Sequence, residues 1–308
     1  MCAIWKYPTN PEKEILAEHL MSLPDMPFVN ITGGEPFIRD DIEEIVKVLK
    51  RKARRIVIST NGYFTDRIIA LIDKHPGVGI RISIEGLPKA NDDLRGIPDG
   101  FDRGLRTLIS LKHMGLKDIG FGITVSDRNA RDMLELYKLA KAMKVEFATA
   151  VTHNSYYFHT FDNRFNHPEV IEEELTALIS EFFHTWRPKN WYRAFFNYGL
   201  INFVKGRKRL IPCEAGTALF FLDPLGEVRP CNGMEESMGN IKERSFDEIW
   251  KGKKAQEIRN KVRGCDKNCW MIGSVAPVMK KHLWIPTKWI LENFRKYRSL
   301  KSSGKEIR

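Results

Sequence analysis

The chain has 308 residues, enough for one large α/β domain or for a medium domain joined to a smaller one. Its 50 basic and 39 acidic side chains give a net charge of +11. The 18 Phe, 8 Tyr and 7 Trp residues exclude a disordered chain. No apolar stretch is long enough to predict a membrane-spanning helix, and no secretion signal is recognisable. Five cysteines, an odd number, therefore indicate a reducing, cytoplasmic setting rather than a disulfide framework.

Helices and strand-like segments alternate over residues 1–151. Strands are expected at 28–32, 55–60, 79–85, 119–125 and 145–151, and helices at 11–23, 40–52, 65–74, 101–114 and 130–143. Five strands that alternate with helices predict a parallel sheet. Small polar residues follow four of these strands, at Thr32–Glu35, Ser59–Gly62, Ser83–Gly86 and Thr124–Ser126. Because ligands bind at the carboxyl edge of such sheets, we expect a site there.

The alternation stops at residue 152. Residues 152–205 are rich in aromatic residues, with a helix expected at 169–186 and a loop packed on the rest of the protein. We do not favour a metal site at His153, His159 and His167, since their spacing matches no helical ligand pair. Further on, residues 220–230 predict a hairpin with an Asp-Pro-x-Gly turn, and residues 246–263 predict a helix.

Four cysteines cluster in the second half of the chain, at Cys213, Cys231, Cys265 and Cys269. Four thiolates complete a tetrahedral set, which suits zinc or a fully ligated iron–sulfur cluster. Cys213 and Cys231 are far apart in the sequence, so the expected hairpin is needed to bring their sulfurs together. The residues alone leave zinc and iron–sulfur open, with buried free thiols as a third interpretation.

Two basic segments carry the excess charge. Residues 184–210 and 278–308 each have a net charge of +7, and they hold four of the seven tryptophans. In the second segment one helical face is expected to carry Trp289, Ile290, Phe294 and Tyr297. Aromatic rings beside basic groups suit peripheral binding to a membrane surface. The alternative is an amphipathic helix that packs on the barrel.

Several motifs together resemble radical S-adenosylmethionine (SAM) enzymes that carry a SPASM/Twitch-type auxiliary domain. Gly33–Pro36 is similar to the family's GGEP motif, and Cys-x12-Gly-x4-Cys at 213–231 is similar to the opening of the auxiliary domain. Gly239–Ile241, Phe246–Trp250 and Cys265–Trp270 resemble the rest of that domain. With only four cysteines there, the shorter Twitch form is the better match.

The resemblance implies a partial (β/α)6 TIM-like barrel that lacks its first strand, plus a small cysteine-rich hairpin and helix domain. The expected units are a barrel at 1–151, a connector at 152–205, an iron–sulfur domain at 206–273 and a basic C-terminal helix and tail at 274–308. SAM contacts are implied at Gly33, Gly34, Glu35, Pro36, Ser59, Asn61, Ser83, Glu85, Arg95 and Thr124. Auxiliary [4Fe-4S] ligands are implied at Cys213, Cys231, Cys265 and Cys269.

The beginning of the chain departs from the family pattern. Met1–Trp5 resembles the end of the Cys-x3-Cys-x2-Cys motif that holds the catalytic cluster, with Cys2 as its third ligand and a catalytic residue. We expect Met1 to be an internal methionine, with a strand and two further cysteines encoded upstream. Without them, the 308-residue form is expected to be inactive.

The resemblance implies an oxidoreductase that generates a 5′-deoxyadenosyl radical and modifies a peptide, sugar, lipid-linked or other small-molecule substrate. An electron donor such as ferredoxin or flavodoxin is an expected partner. One alternative is a catalytically silent protein that binds SAM and iron–sulfur. Another, suggested by the isoelectric point of about 9.4 but not favoured, is a zinc-stabilised nucleic-acid-binding protein.

Overall fold

The architecture comes from a computed structural model in which residues 2–300 are described. The strands are β1 (Val29–Ile31), β2 (Ile56–Thr60), β3 (Gly79–Ser83), β4 (Ile119–Val125), β5 (Glu146–Val151), β6 (Phe221–Leu222), β7 (Glu227–Arg229) and β8 (Gly239–Asn240). The helices are α1 (Ile42–Lys52), α2 (Thr65–Lys74), α3 (Pro88–Arg95), α4 (Gly100–His113), α5 (Met133–Met143), α6 (Pro168–Phe183), α7 (Pro188–Val204), α8 (Phe246–Lys251), α9 (Lys253–Arg263), α10 (Ile272–Lys281) and α11 (Trp284–Ser299). Short 3-10 turns cover Ile4–Lys6, Pro11–Lys13, Ala17–Ser22, Pro36–Ile38 and Ala130–Asp132.

Strands β1 to β5 form one parallel sheet in sequence order. Their register pairs Ile58 with Ile80, and Ile82 with Phe121. All four of these side chains are buried, as expected for parallel strands that are covered on both faces. The curled sheet confirms the predicted partial barrel. It also brings the carboxyl ends of all five strands to one edge.

A second, antiparallel sheet has the order β6, β7, β8. The turn between β6 and β7 is the predicted hairpin turn, and the Asp223 carboxylate closes it by accepting from the backbone N–H groups of Leu225 and Glu227, each at 3.0 Å. Gly226 has a φ of +94°, and a Cβ there would lie 2.6 Å from Asn240 Oδ1. Glycine therefore fits this turn on both grounds.

Helices α6, α7 and α11 pack on one another. The Trp289 ring stacks on Tyr198 at 4.8 Å, and Ile290 and Tyr297 are buried. Phe294 meets Phe183 edge-on at 5.3 Å. The helical face expected at a membrane surface is thus an interior face, because α6 and α7 supply the apolar partners. In the described part of the chain, no helix is long and apolar enough to cross a membrane.

Three helix predictions differ from the structure. Residues 11–23 form two 3-10 turns, because Leu16 is extended and its N–H donates to His19 Nδ1 instead of continuing a helix. The helix expected at 246–263 divides at Gly252, whose backbone is extended. The connector contains α7 in addition to α6, which ends at Phe183.

Candidate cofactor site and cysteine cluster

Glu35 joins the loop after β1 to the end of β2. Its Oε1 accepts from Thr60 Oγ1 at 2.7 Å and from the N–H of Phe37 at 3.1 Å, and its Oε2 accepts from the N–H of Asn61 at 2.7 Å. Burial is the main influence on its pKa, which is raised, and these hydrogen bonds oppose the rise. A carboxylate offers about four acceptor positions, so one remains for a ligand.

Beyond β3, the buried Glu85 forms an ion pair with Arg95, which is half-buried. Glu85 is 3% exposed, and its two oxygens accept from Arg95 Nη2 at 3.0 Å and from the N–H of Thr124 at 2.6 Å. Burial raises the pKa of Glu85, and the Arg95 guanidinium opposes this. Among the described residues, the buried Nε of Arg95 has no hydrogen-bond partner. Such an unsatisfied donor is costly, which marks Arg95 as a position where an acceptor is wanted.

Arg95 lines a narrow cleft at the strand ends. Its lining comprises Asn61, Tyr63, Ser83, Asn91, Arg95, Ile97, Gly100 and Arg103. The cleft volume of about 10 Å³ holds no more than one water molecule, so a larger ligand must lie across its mouth. A cavity of about 350 Å³ lies beside the start of α5, from Asp127 to Asp132 with His167 and Val170, outside this cleft.

Two asparagines hold Glu85 in place: Asn91, which sequence reasoning did not assign, and Asn129, which it gave only as a weaker match to the family pattern. Asn91 Oδ1 accepts from the N–H of Glu85 at 2.9 Å. Asn129 Nδ2 donates to the carbonyls of Glu85 at 2.6 Å and Thr124 at 3.0 Å. Both asparagines are buried, and both follow strand ends, which is the signal that points to them. Tyr63 and Arg103, which stack at 4.5 Å, were also missed in the cleft.

The other residues that were expected to contact SAM differ in their positions relative to the cleft. Ser83 faces the cleft, while Ser59 Oγ donates to Asn30 Oδ1 at 3.1 Å on the neighbouring strand. Thr124 takes part through its backbone N–H, which donates to Glu85, and its side chain also hydrogen-bonds Glu85. Gly33, Gly34 and Pro36 form the loop that Glu35 anchors, and Pro36 begins a buried 3-10 turn.

Cys2 lies beside this loop. Ala3 N–H donates to the carbonyl of Phe158 at 2.9 Å, and Ile4 Cγ2 is 3.8 Å from the position of a Cβ on Gly34. Tyr157 lies by Gly33, and its pKa is raised to about 12, chiefly by burial and additionally by Asp223 and Cys2. The other four of the five cysteines belong to residues 213–269, so this loop has one thiol.

All four of those cysteines interact electrostatically with Arg209. Cys231 follows β7, while Cys265 and Cys269 lie between α9 and α10. Burial lowers the pKa of Arg209, and interactions with all four thiols, including Cys213, oppose this. The pKa of Cys231 is raised to about 11, chiefly by burial and additionally by Cys213 and Cys269. In residues 2–300, no three His, Cys, Asp or Glu side chains form a set that could hold a metal ion directly.

Arg209 is fixed by the backbone around the cysteines. Its guanidinium donates to the carbonyls of Ile211 at 3.0 Å, Ser274 at 3.2 Å and Cys269, and it lies 5.4 Å from the Trp270 ring centroid. Sequence reasoning counted Arg209 only as part of a basic segment. The structure shows in addition that this half-buried guanidinium interacts electrostatically with all four thiols.

His153 connects this region to the large sheet. Its Nδ1 donates to the Val151 carbonyl at 2.7 Å, and its Nε2 accepts from the N–H of Trp270 at 3.1 Å. Burial lowers the pKa of His153 to about 4, so the ring is neutral. His159 stacks on Tyr7 at 4.3 Å, and His167 lies at the separate cavity.

Comparisons with known proteins match both the part of the chain that contains the large sheet and the part that contains the four clustered cysteines. The family described as the radical SAM superfamily matches residues 2–140, and an iron–sulfur cluster-binding domain, SPASM, matches residues 213–270. The Fe-coproporphyrin III synthase of Methanosarcina barkeri is 34% identical over 120 residues, which cover 39% of this chain and 30% of that relative. The AdoMet-dependent heme synthase of the same organism is 25% identical, with 77% of this chain and 71% of the relative covered.

The mycofactocin maturase MftC of Mycolicibacterium smegmatis is 26% identical, covering 66% of this chain and 52% of the relative. Among solved structures, anSMEcpe with bound AdoMet has a TM-score of 0.61 at 14% identity, covering 91% of this chain and 89% of that one. SuiB of Streptococcus suis has a TM-score of 0.57 at 18% identity, covering 77% and 57% of the two chains. These two structures share the fold. The chain therefore carries a radical SAM domain at residues 2–140 and a SPASM-type iron–sulfur domain at residues 213–270.

Proposed function

We propose that this chain binds SAM at the carboxyl edge of its parallel sheet and an auxiliary [4Fe-4S] cluster through Cys213, Cys231, Cys265 and Cys269. It does so as part of an oxidoreductase that modifies a small-molecule or peptide substrate. The observation that carries the proposal is the buried Arg95 Nε without a partner in the described chain, in a residue that lines the cleft at the carboxyl ends of the strands.

The cleft matches the amino-acid end of SAM. A carboxylate accepts well from a guanidinium, and Arg95 has a free donor there while Glu85 fixes its other side. The open acceptor position of Glu35 suits an ammonium group. Asn61 and Ser83 supply polar groups along the same rim for hydroxyls. These residues bind and orient the ligand, and Asn91 and Asn129 keep the ion pair in place.

The cysteine region fits a cluster on the chemistry of its donors. Four thiols interact with one half-buried guanidinium, that of Arg209, whose positive charge offsets the repulsion between thiolates. A [4Fe-4S] cluster with four cysteine ligands supplies one-electron transfer. We assign the barrel to residues 1–151, the connector to 152–205 and the cluster domain to 206–273. Residues 274–308 form the C-terminal unit, of which 301–308 lie outside the described residues.

The described residues do not supply a complete ligand set for the family's catalytic cluster. The described residues supply one thiol, Cys2, beside the Gly33–Pro36 loop, and one thiolate does not hold such a cluster. We therefore derive no reaction step through it. The position of Cys2 supports its assignment as one ligand of that cluster.

The substrate class is drawn from the relatives. Their names divide between tetrapyrrole chemistry, such as AdoMet-dependent heme synthase, and peptide maturation, such as the sporulation killing factor maturation protein SkfB of Bacillus subtilis. A small molecule or a peptide is therefore proposed, with a ferredoxin or flavodoxin as electron donor. Nucleic acid is not proposed as a substrate.

Anaerobic equilibrium dialysis with SAM tests the cleft. Because a charged hydrogen bond contributes about 1.5–3 kcal/mol, Arg95→Gln is expected to weaken binding at least tenfold. Arg106→Gln on α4 is the matched control, since Arg106 is exposed and does not line the cleft. Equal affinity of the two variants would overturn the assignment of Arg95.

Metal analysis after anaerobic reconstitution tests the cysteine region. We expect about four iron and four sulfide per auxiliary site, lost in Cys213→Ala and Cys269→Ala but retained in Cys2→Ala. Stoichiometric zinc without sulfide would replace the iron–sulfur assignment. Cleavage of SAM to 5′-deoxyadenosine by the reduced, reconstituted protein would exclude the catalytically silent alternative.

A further inference from the structure

The solvent side of α11 combines large apolar and basic side chains. Trp284, Lys288, Leu291 and Arg295 are spaced by four, three and four residues, so they lie on one helical face. Trp284 is 67% exposed and Leu291 is 75% exposed. The opposite face packs on α6 and α7, so the helix is held in place with this side outward.

A residue from a distant segment extends this face. Trp186, in the loop between α6 and α7, is 75% exposed, and the Arg298 guanidinium lies 4.7 Å from its ring centroid. The fold thus joins the two basic segments at this place. We call Trp186, Trp284, Lys288, Leu291, Arg295 and Arg298 the α11 outer face.

The charge on the α11 outer face is largely unneutralised. Lys288 approaches Glu292 only at 3.9 Å, and Arg295 and Arg298 have no ion pair within the described residues. On α7, by contrast, Lys189 and Arg193 both pair with Glu146. Internal ion pairs therefore neutralise these basic side chains of α7, whereas the basic side chains of the α11 outer face remain available to a partner.

We propose that the α11 outer face docks on an anionic lipid surface. Tryptophan suits the boundary between headgroups and acyl chains because its ring is apolar and its N–H is polar. Lysine and arginine beside it attract anionic headgroups. The two exposed tryptophans and the exposed leucine suit the boundary with the acyl chains, and the three basic groups beside them suit the anionic headgroups. The docking does not depend on cofactor binding at the strand ends.

Flotation of the full chain with vesicles tests the proposal. We compare phosphatidylcholine alone with phosphatidylcholine containing one third phosphatidylglycerol, at moderate salt. Binding is expected only to the anionic vesicles. The double variant Trp284→Ser/Leu291→Ser should lower the affinity at least tenfold, because it removes the side chains that enter the interface. Lys288→Gln and Arg295→Gln should each lower it about fivefold.

Trp5→Ser and Phe161→Ser are the matched controls, since both residues are about as exposed but lie outside the α11 outer face. They should leave flotation unchanged, and urea unfolding should show that all variants are folded. Flotation that is absent, equal on neutral vesicles or equally lost in the controls overturns the proposal. So does tighter binding to RNA than to anionic vesicles. Self-association that Trp284→Ser abolishes, with no flotation, would assign this face to a second copy instead.

Discussion

Removing His153 should change both the stability of the protein and the pH dependence of that stability. The neutral ring sits between the end of β5 and the residue after Cys269, with both nitrogens in hydrogen bonds. His153→Phe keeps an aromatic ring of similar shape that still stacks on Phe203. It leaves the Val151 carbonyl and the Trp270 N–H buried without a partner. Each such group costs about 1–3 kcal/mol, so we expect a loss of about 2–5 kcal/mol at pH 7.

The pH dependence follows from the lowered pKa. His153 has a pKa of about 4 in the folded protein, compared with 6.5 for the ordinary side chain. Between these values the unfolded chain binds the proton and the folded protein does not, so stability falls as the pH falls. A difference of 2.5 units corresponds to about 3 kcal/mol in total, of which about 2 kcal/mol is lost between pH 7 and pH 5. Because the residue is 5% exposed, solvent screening does not reduce this value.

Denaturant unfolding at pH 7 and pH 5, at equal iron content, measures both effects. His153→Phe lacks the titrating group, so its deficit relative to the natural chain should narrow by about 2 kcal/mol at pH 5. His113→Gln is the control, since His113 is an exposed histidine at the end of α4. Its difference from the natural chain should not change with pH. An unchanged deficit for His153→Phe at pH 5 would refute the assignment of a buried neutral ring.

Two further predictions concern the same region. Gly199→Ala should destabilise the protein by at least about 3 kcal/mol in denaturant unfolding, because a Cβ at Gly199 would lie 1.9 Å from the Trp270 ring. Gly273→Ala is the control, because Gly273 lies in α10 with no other atom within 4 Å of an added Cβ, and an equal loss there would contradict the steric argument. Arg209→Gln should shift the reduction potential of the auxiliary cluster to a more negative value in EPR-monitored titration, because it removes a positive charge beside the thiolates. Arg106→Gln, at an exposed position of α4 in the barrel, should leave the potential unchanged, and equal shifts in both would contradict a local effect.

The large sheet was predictable because its signals are local. Runs such as Ile56–Thr60 are apolar enough to be buried on both faces, and the polar loops that follow them indicated the edge where Glu35, Glu85 and Arg95 meet. The hairpin at β6 and β7 was equally local, because its turn residues fix its geometry. The helix expected at 11–23 failed because side-chain capping by His19 and an extended Leu16 outweighed apolar spacing.

What the sequence did not reveal depends on pairs that are far apart in the chain. His153 and Trp270 are separated by 117 residues, and Arg209 and Cys269 by 60, so no periodicity connects them. The face of α11 is a similar case. Spacing identified Trp289, Ile290, Phe294 and Tyr297 as one apolar face, but only the position of α6 and α7 decides that protein rather than lipid covers it. Once that face is occupied, the charged side of the same helix carries the exposed tryptophan and leucine. The membrane hypothesis therefore moves to the opposite side of α11, where variants can test it without disturbing the core.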